Sequence, residues 1–220
     1  MATIHSAAQG MEGDGLAHRQ AVTTQSTDVE YLRKQVMALV GLLSRKGVVR
    51  YGEFLDEVHR LEEVDHQDGA RVVARAWTDP AYKERLLRDP KAAVAELGIE
   101  VGGYQRLEVL ENTEQTHHVV VCTTCSCVPS PLSGFTPDWY KSTVYRTRIV
   151  SEPRDVLRDF GLELPEDVEV RVVDTDQQRR CLVLPKWPAG AEGLTEEQLA
   201  ALVTQESLFG VGQPKGPIGA

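Results

Sequence analysis

The sequence predicts an α+β protein whose first half is helical and whose second half mixes strands with helices. Two observations support this class. Apolar residues recur at helical spacing before residue 100, and β-branched residues alternate with polar ones after Gly102-Gly103. The chain has 220 residues, 41% of them hydrophobic, and is long enough to bury a substantial core. We divide it into four segments: 1–26, 27–102, 103–212 and 213–220.

The N-terminal part is predicted to be a mobile tail followed by a helical arm. Residues 1–26 are rich in small and polar side chains and show no periodicity. Thr27 and Glu30 have the spacing of a capping box, and Gly47 marks a helix end. The helix between them carries one apolar stripe, formed by Val29, Leu32, Val36, Leu39 and Leu43. Because this helix precedes the main body, we expect its stripe to pack on a partner chain.

Further helices are predicted up to residue 98. Helical periodicity covers Glu53–Glu63 and Ala70–Trp77. Asp79-Pro80 and Asp89-Pro90 each place a capping residue before a proline in the first helical turn. Gly98 is the expected end of the last of these helices. These segments, 27–102, contain no evident catalytic cluster.

The segment 103–212 is predicted to be the α+β metal-binding and catalytic body, and 213–220 a C-terminal tail. Arg106–Leu110 and His117–Val121 have strand composition on either side of a loop. Residues 168–172 alternate valine with charged residues, which indicates a half-buried strand, and we expect Arg180–Leu184 to pair with it. A final helix is indicated by a capping box, Thr195 with Gln198, and by a hydrophobic staple, Leu194 with Leu199.

Composition and charge exclude several classes of function. The net charge of −9 argues against nucleic acid as a partner. No run of about 18 apolar residues is present, so no membrane span is expected. The first 26 residues lack the basic start and apolar stretch of a secretory signal. We therefore expect a cytoplasmic protein.

The cysteines are the most informative residues of the chain. Four are present, and three of them, Cys122, Cys125 and Cys127, lie within six residues. This layout does not suit a disulfide framework in a chain of this length, and it favours metal or redox chemistry. Three thiolates together with the backbone nitrogens of Ser126 and Cys127 would fill five positions around a low-spin trivalent metal. One position would remain open for water or substrate.

Other interpretations of the cysteines stay open at this point. A structural zinc site would need a fourth ligand, for which Cys181, His117 or His118 are the candidates, and an iron–sulfur cluster would need a fourth thiolate. Cys181 also fits a buried, inert thiol in a strand. A non-catalytic metal-binding or redox-sensing module would need only the thiol chemistry.

The run Cys122-Thr123-Thr124-Cys125-Ser126-Cys127 resembles the metal-binding motif of cobalt-type nitrile hydratase α subunits. The similarity extends over residues 28–212 and includes, among other stretches, Ala74-Arg75-Ala76-Trp77, Asp138-Trp139-Tyr140-Lys141-Ser142 and Phe160-Gly161-Leu162-Glu163-Leu164-Pro165. The thiocyanate hydrolase γ subunit carries the same motif. The resemblance implies a layered α/β/β/α body with an N-terminal helical arm.

The resemblance also implies a cofactor, a partner and a reaction. One Co(III) per chain, rather than iron, would be bound by Cys122, Cys125, Ser126 and Cys127, the serine through its backbone nitrogen. Cys125 would be a sulfinic acid and Cys127 a sulfenic acid, and both would act in catalysis together with Ser126. A β-type subunit would supply arginines to these oxidised sulfurs, and a metallochaperone would load the cobalt. The reaction would be hydration of a nitrile to an amide, with the Cys127 oxygen acting as nucleophile or as base.

Some residues depart from the family pattern. Thr124 replaces a usual leucine, Ser130 replaces a tryptophan, and Gly103 lies near the place of a usual glutamine. Loss of an indole opens space, since such a ring buries about 200 Å². We therefore expect a bulky or heteroaromatic substrate, such as a nucleoside nitrile, in a pocket lined by Ser130, Thr124 and Trp139. Trp139-Tyr140-Lys141 also fit core packing. Arg146 and Arg148 fit a role in positioning the cysteine loop or the subunit interface, and they also fit ordinary surface ions.

Overall fold

A computed structural model describes residues 29–62, 64–103 and 106–217 of the chain. The predicted tail 1–26, the predicted cap at Thr27 and residues 218–220 lie outside the described residues. The chain divides into two compact units, residues 1–63 and residues 64–220. Among the described residues, no helix combines the length and the apolarity that crossing a membrane requires.

The described part of the first unit consists of two helices, α1 (29–45) and α2 (Tyr51–Glu62). Helix α1 ends as predicted, because Gly47 has a φ of 68° and its amide donates to the carbonyl of Ser44. Glu53 in the first turn of α2 accepts hydrogen bonds from Arg50. The apolar stripe of α1 is largely exposed, with Leu32 58% and Leu39 57% accessible.

Three helices open the second unit, and their caps follow the predicted chemistry. The Asp79 carboxylate accepts from the amide of Tyr82, and the Asp89 carboxylate accepts from that of Ala92. Gly98, with a φ of 74°, ends the last helix as predicted. The helices are α3 (Gln67–Thr78), α4 (Pro80–Arg88) and α5 (Pro90–Glu96).

Four strands follow, and they form two separate parallel pairs. They are β1 (Arg106–Glu111), β2 (Thr116–Val121), β3 (Glu169–Asp174) and β4 (Arg179–Leu184). Strand β1 pairs with β4, and β2 pairs with β3, each over six residues. All four strands were predicted, but the expected pairing of β4 with β3 is wrong. Residues 175–178 take the chain from one sheet to the other instead.

The burial of β4 explains this pairing. Leu182 and Leu184 pack against the helices of the first half, whereas Cys181 and Val183 lie in a cluster shared with the other sheet. A strand that is apolar on both faces needs cover on both faces, which it obtains between α3–α5 and the second sheet. Strand β3 is only half-buried, as predicted, so it occupies the other pair.

The two sheets pack face to face, with helices on both outer sides. In β2, Val119 and Val121 point to an outer core, while Val120 points to β4. The outer core over β2 and β3 contains side chains from the helices that follow β2, such as Tyr145 and Leu157. This order of helices, sheet, sheet and helices confirms the predicted α+β class and its layers.

The remaining helices are short. Four lie between β2 and β3, namely α6 (Ser130–Ser133), α7 (Asp138–Lys141), α8 (Thr143–Ser151) and α9 (Pro153–Asp159). Helix α10 (Glu196–Ala200) has the predicted capping box of Thr195 and Gln198. A further helix, α11 (Gln205–Phe209), was not predicted, although Thr204 and Ser207 form a second capping box. It ends at Gly210, where any Cβ would approach the carbonyl oxygen of His118 to 2.0 Å.

Candidate metal centre

The three clustered cysteines follow directly after strand β2. Val121, the last residue of β2, is the register partner of Asp174, the last residue of β3. Because the strands are parallel, both carboxyl ends open on the same edge of the sheet. Residues 122–127, which we call the cysteine claw, form the tight loop at this edge.

The sulfur atoms of the claw converge. The Sγ atoms of Cys122 and Cys125 are 3.2 Å apart, and those of Cys125 and Cys127 are 2.7 Å apart. All three lie within 4.8 Å of one another. Within the described ranges of the chain, this is the only group of three or more cysteine, histidine or acidic side chains arranged to hold a metal ion.

One side of the claw is buried and the other faces outward. Cys122 and Cys127 are buried in the core over β2 and β3. Cys125 and Ser126 are half-buried, and Thr123 and Thr124 are exposed. A metal bound to the three sulfurs would therefore be anchored from the protein interior and reachable at Cys125.

The thiols of the claw differ in acidity. The hydrogen bond from Cys127 lowers the pKa of Cys125 to about 7. Burial raises the pKa of Cys127 to about 12, and its contact with Cys125 adds to this. Since metals bind thiolates, the sulfur of Cys125 is more readily available to a metal at neutral pH than that of Cys127.

Backbone amides surround the sulfurs. The amide of Cys125 donates to the Sγ of Cys122 over 3.3 Å. A hydrogen bond from the backbone of Ser126 helps to lower the pKa of the Cys125 thiol. Ligation of a metal by the nitrogens of Ser126 and Cys127 stays a prediction.

Asp174 anchors the start of the claw. Its carboxylate accepts from the amide of Thr123 over 3.1 Å and from the hydroxyl of Thr123 over 2.6 Å. Sequence reasoning missed this residue. Its only signal was an acidic residue at the end of a valine-rich strand, which becomes informative once β2 and β3 are known to be parallel neighbours.

Several contacts hold the second half of the claw and the segment that follows it. The Thr136 hydroxyl donates to the carbonyl of Ser126 over 3.1 Å. The amide nitrogen of the Gln205 side chain donates to the carbonyls of Ser133 and Phe135. Helix α3 approaches α6 so closely that a Cβ on Gly69 would lie 2.0 Å from the carbonyl oxygen of Leu132. The sequence did not predict these contacts, because they join distant parts of the chain.

The structure separates the candidate fourth ligands from the claw. The Sγ of Cys181 lies 3.9 Å from a carboxylate oxygen of Glu108, and burial raises the pKa of Cys181 to about 12. His117 is buried, with its ring nitrogens at 2.7 Å from the carbonyl of Gly210 and 3.1 Å from the side-chain amide of Asn112. Neither residue belongs to the sulfur cluster. The geometry thus gives three side-chain ligands, which does not fit a four-thiolate site.

The other predicted residues take different positions. Ser130 is half-buried at the start of α6, just beyond the claw. Trp139 packs edge-on against four aromatic rings, Tyr140, Tyr145, Phe160 and Phe209. Arg148 forms ion pairs with Glu152 and Asp159. The Nε atom of Arg146 is buried without a hydrogen-bond partner among the described residues.

Residues 30–212 match the protein family described as nitrile hydratase, alpha chain. The chain belongs to this family. It is 45% identical, over 91% of its length and 98% of the relative's, to the low-molecular weight cobalt-containing nitrile hydratase subunit alpha of Rhodococcus rhodochrous. It is 46% identical, over 80% and 88% of the two chains, to the cobalt-containing nitrile hydratase subunit alpha of Pseudonocardia thermophila. The subunit gamma of thiocyanate hydrolase from Thiobacillus thioparus is 41% identical over 78% and 77%.

Solved structures of the nitrile hydratase family have the same fold. A double mutant of the Fe-type nitrile hydratase from Comamonas testosteroni Ni1 superimposes with a TM-score of 0.79 at 40% identity, covering 87% of this chain and 94% of that one. A recombinant thiocyanate hydrolase comprising partially modified cobalt centers gives a TM-score of 0.78 at 38% identity, covering 85% and 91%. The cysteine claw therefore belongs to a fold that carries metal centres in its relatives.

Proposed function

We propose that this chain is the metal-carrying subunit of a nitrile hydratase that converts a bulky nitrile to its amide at a Co(III) centre. The observation that carries the proposal is the convergence of three sulfur atoms within 4.8 Å at the open edge of β2 and β3. The cobalt-containing relatives favour cobalt over iron. Bound there, Co(III) would supply a Lewis acid that makes the nitrile carbon electrophilic.

The residues of the chain would divide the work. Cys122 and Cys127 hold the ion from the buried side, and Cys125 holds it at the accessible side. The nitrogens of Ser126 and Cys127 complete the five donors. Oxidation of Cys125 to a sulfinic acid and of Cys127 to a sulfenic acid would weaken the sulfur donors and place oxygens beside the substrate. Asp174 keeps the loop in register by binding Thr123.

A second chain belongs to the proposed enzyme. The exposed stripe of α1, with Val29 61% and Leu32 58% accessible, is typical of a helix that packs on another protein. A β-type subunit would cover this stripe and supply arginines to the oxidised sulfurs, and a metallochaperone would deliver cobalt. Slower amide exchange at residues 29–43 in the complex than in the isolated chain would support this role of α1. Equal exchange rates in the two samples would contradict it.

The proposed substrate is larger than an alkyl nitrile. Ser130 lies half-buried at the first residue of α6, and Thr124 is exposed within the claw. Both side chains are smaller than the tryptophan and the leucine that are usual at these positions in the family, so they would leave more room for a substrate. A nucleoside nitrile of the toyocamycin type has the size and polarity for such a space. Trp139 would support this pocket from the core rather than contact the substrate directly.

The central test is metal analysis and activity of the chain produced together with its β-type partner. We expect about one cobalt per chain, oxidised Cys125 and Cys127 by mass spectrometry, and hydration of heteroaromatic nitriles. Zinc with unmodified thiols would contradict the proposal and favour a metal-binding module. Cobalt with hydrolysis of thiocyanate but not of nitriles would favour the second candidate, which the similarity to thiocyanate hydrolase supports.

Substrate size can be tested at Ser130. Ser130→Trp should fill the space beside the claw and lower turnover of a heteroaromatic nitrile, while cobalt content and turnover of a small nitrile persist. A misfit of one methylene already costs about 1–3 kcal/mol, and an indole is far larger. Ser130→Ala is the control, because it removes the hydroxyl and leaves the space. Equal turnover of bulky nitriles by all three proteins would exclude position 130 from the pocket.

A further inference from the structure

One buried hydroxyl next to the claw has no hydrogen-bond partner. Tyr140, the third residue of α7, is fully buried at 0% exposure, and its Oη contacts no acceptor or donor among the described residues. The nearby Tyr145 is also buried, but its hydroxyl donates to the carbonyl of Val120 over 2.8 Å. Buried hydroxyls are nearly always paired, because leaving one unpaired costs free energy. Tyr140 therefore calls for an acceptor.

The side chains that pack around Tyr140 contain few atoms that can accept a hydrogen bond from its hydroxyl. Tyr140 packs in one core cluster with Cys122 and Cys127, and most other members of this cluster are hydrocarbon side chains. The rings of Trp139 and Phe209 flank it at centroid distances of 5.7 Å and 4.9 Å, and an indole nitrogen only donates. The remaining side-chain acceptors in this cluster are the cysteine sulfurs and the oxygen of Tyr145.

Of the two buried sulfurs in this cluster, Cys122 shares the complete burial of Tyr140, whereas Cys127 is 8% exposed. Because Cys122 is at 0% exposure, its thiolate would need donors from the protein. The amide of Cys125 supplies one such donor to it.

We propose that Tyr140 is a positioning residue of the metal centre, whose hydroxyl donates a hydrogen bond to the Cys122 sulfur when that sulfur is a metal-bound thiolate. This inference rests on the proposed function. A neutral thiol is a weak acceptor, whereas a thiolate is a strong one, so metal binding at Cys122 would provide an acceptor for the buried hydroxyl. The hydrogen bond would hold the sulfur in place and withdraw charge from it, in the way that outer-shell partners tune metal ligands.

The test compares Tyr140→Phe with Tyr145→Phe in the cobalt-loaded complex. Tyr140→Phe should shift the sulfur-to-cobalt charge-transfer absorption and weaken cobalt retention roughly 10- to 100-fold. Tyr145→Phe removes a buried hydroxyl of the same kind that is bound to a backbone carbonyl. It should leave the absorption band in place. Replacing Tyr140 by 3-fluorotyrosine keeps the shape, strengthens the donor and should shift the band in the opposite direction.

Thermal unfolding of the metal-free chain separates positioning from a merely structural role. Tyr140→Phe should keep the wild-type melting temperature or raise it, because no hydrogen bond is lost, whereas Tyr145→Phe should lower it. A band and a cobalt release rate unchanged in Tyr140→Phe would overturn the inference and point to Tyr145 as the acceptor. Equal band shifts in both variants would also overturn it. A wild-type complex without cobalt would overturn the proposed function itself.

Discussion

The two parallel strand pairs have the same local geometry and different carboxyl ends. At the end of β1 and β4, the amide of Asn112 donates to the carbonyl of Leu184, and the next carbonyl, that of Pro185, accepts from the indole of Trp77. This edge has no cysteine, and Asn112 and Pro185 line a cavity of about 610 Å³ beside it. At the end of β2 and β3, the chain enters the cysteine claw and Asp174 binds its first threonine. The comparison teaches that strand pairing supplies an edge, and that the residues after the strand decide its chemistry.

The cover over the two pairs differs as well. Helices α3 to α5 form the core over β1 and β4 from aliphatic side chains such as Val72, Leu86 and Val94. The core over β2 and β3 is built by shorter helices and contains the aromatic cluster and two of the claw cysteines. We therefore expect changes in the core over β1 and β4 to affect stability and changes in the core over β2 and β3 to affect the metal.

The largest effect is expected at the claw. Cys122→Ser, Cys125→Ser and Cys127→Ser should each abolish tight cobalt retention, because each removes a sulfur donor from a set of three. Cobalt per chain in the purified complex is the measurement. Cys181→Ser is the matched control from strand β4 and should retain cobalt. An equal loss at Cys181 would replace the claw by a four-thiolate site.

The next effect is on the stability of the core over β1 and β4. Leu182→Ala in β4 should lower the free energy of unfolding of the metal-free chain by about 2–5 kcal/mol, since the side chain is 1% exposed. Denaturant titration measures this, while cobalt per folded chain should stay near one. Leu157→Ala makes the same truncation in the core beneath the claw and should also speed cobalt release. Loss of cobalt from Leu182→Ala but not from Leu157→Ala would contradict the contrast between the two cores.

A smaller effect is expected at the anchor of the claw. Asp174→Ala removes both hydrogen bonds to Thr123 and should weaken cobalt retention roughly 10- to 100-fold. Cobalt release to a chelator measures the change. Asp176→Ala is the control, because its carboxylate also accepts two hydrogen bonds, from the amides of Gln178 and Arg179, without touching the claw. Equal release rates in the two variants would show that Asp174 does not support the metal centre.

The smallest effect concerns acidity. In the metal-free chain Cys125, with a pKa of about 7, should be roughly half ionised at neutral pH, whereas Cys181, with a pKa of about 12, should be protonated. Alkylation should therefore label Cys125 first, and its rate should rise as the pH increases through 7. Cys125→Ser should remove this step. Preferential labelling of Cys181 at pH 7 would contradict the contrast between the claw and the buried thiol of β4.

Local rules made much of the fold predictable. The aspartates before α4 and α5, the glycines at 47 and 98, and the capping box at Thr195 act within a few residues of themselves. Such signals depend on hydrogen bonds between near neighbours, so the sequence contains all of their partners. The spacing of Cys122, Cys125 and Cys127 belongs to the same class, since one loop brings their sulfurs together. The missed helix α11 also had such a signal, in Thr204 and Ser207.

Tertiary structure decided what depends on distant partners. The alternating valines indicated that β3 is half-buried, and the apolar composition of β4 indicated a strand. Such patterns carry no information on which strand lies beside which. Only the packing of β4 between α3–α5 and the second sheet gave its pairing with β1. For the same reason Asp174, 51 residues after Thr123, entered the site only with the parallel register of β2 and β3. Sequence by itself identified the three cysteines whose sulfurs converge, and the fold decided what holds their loop.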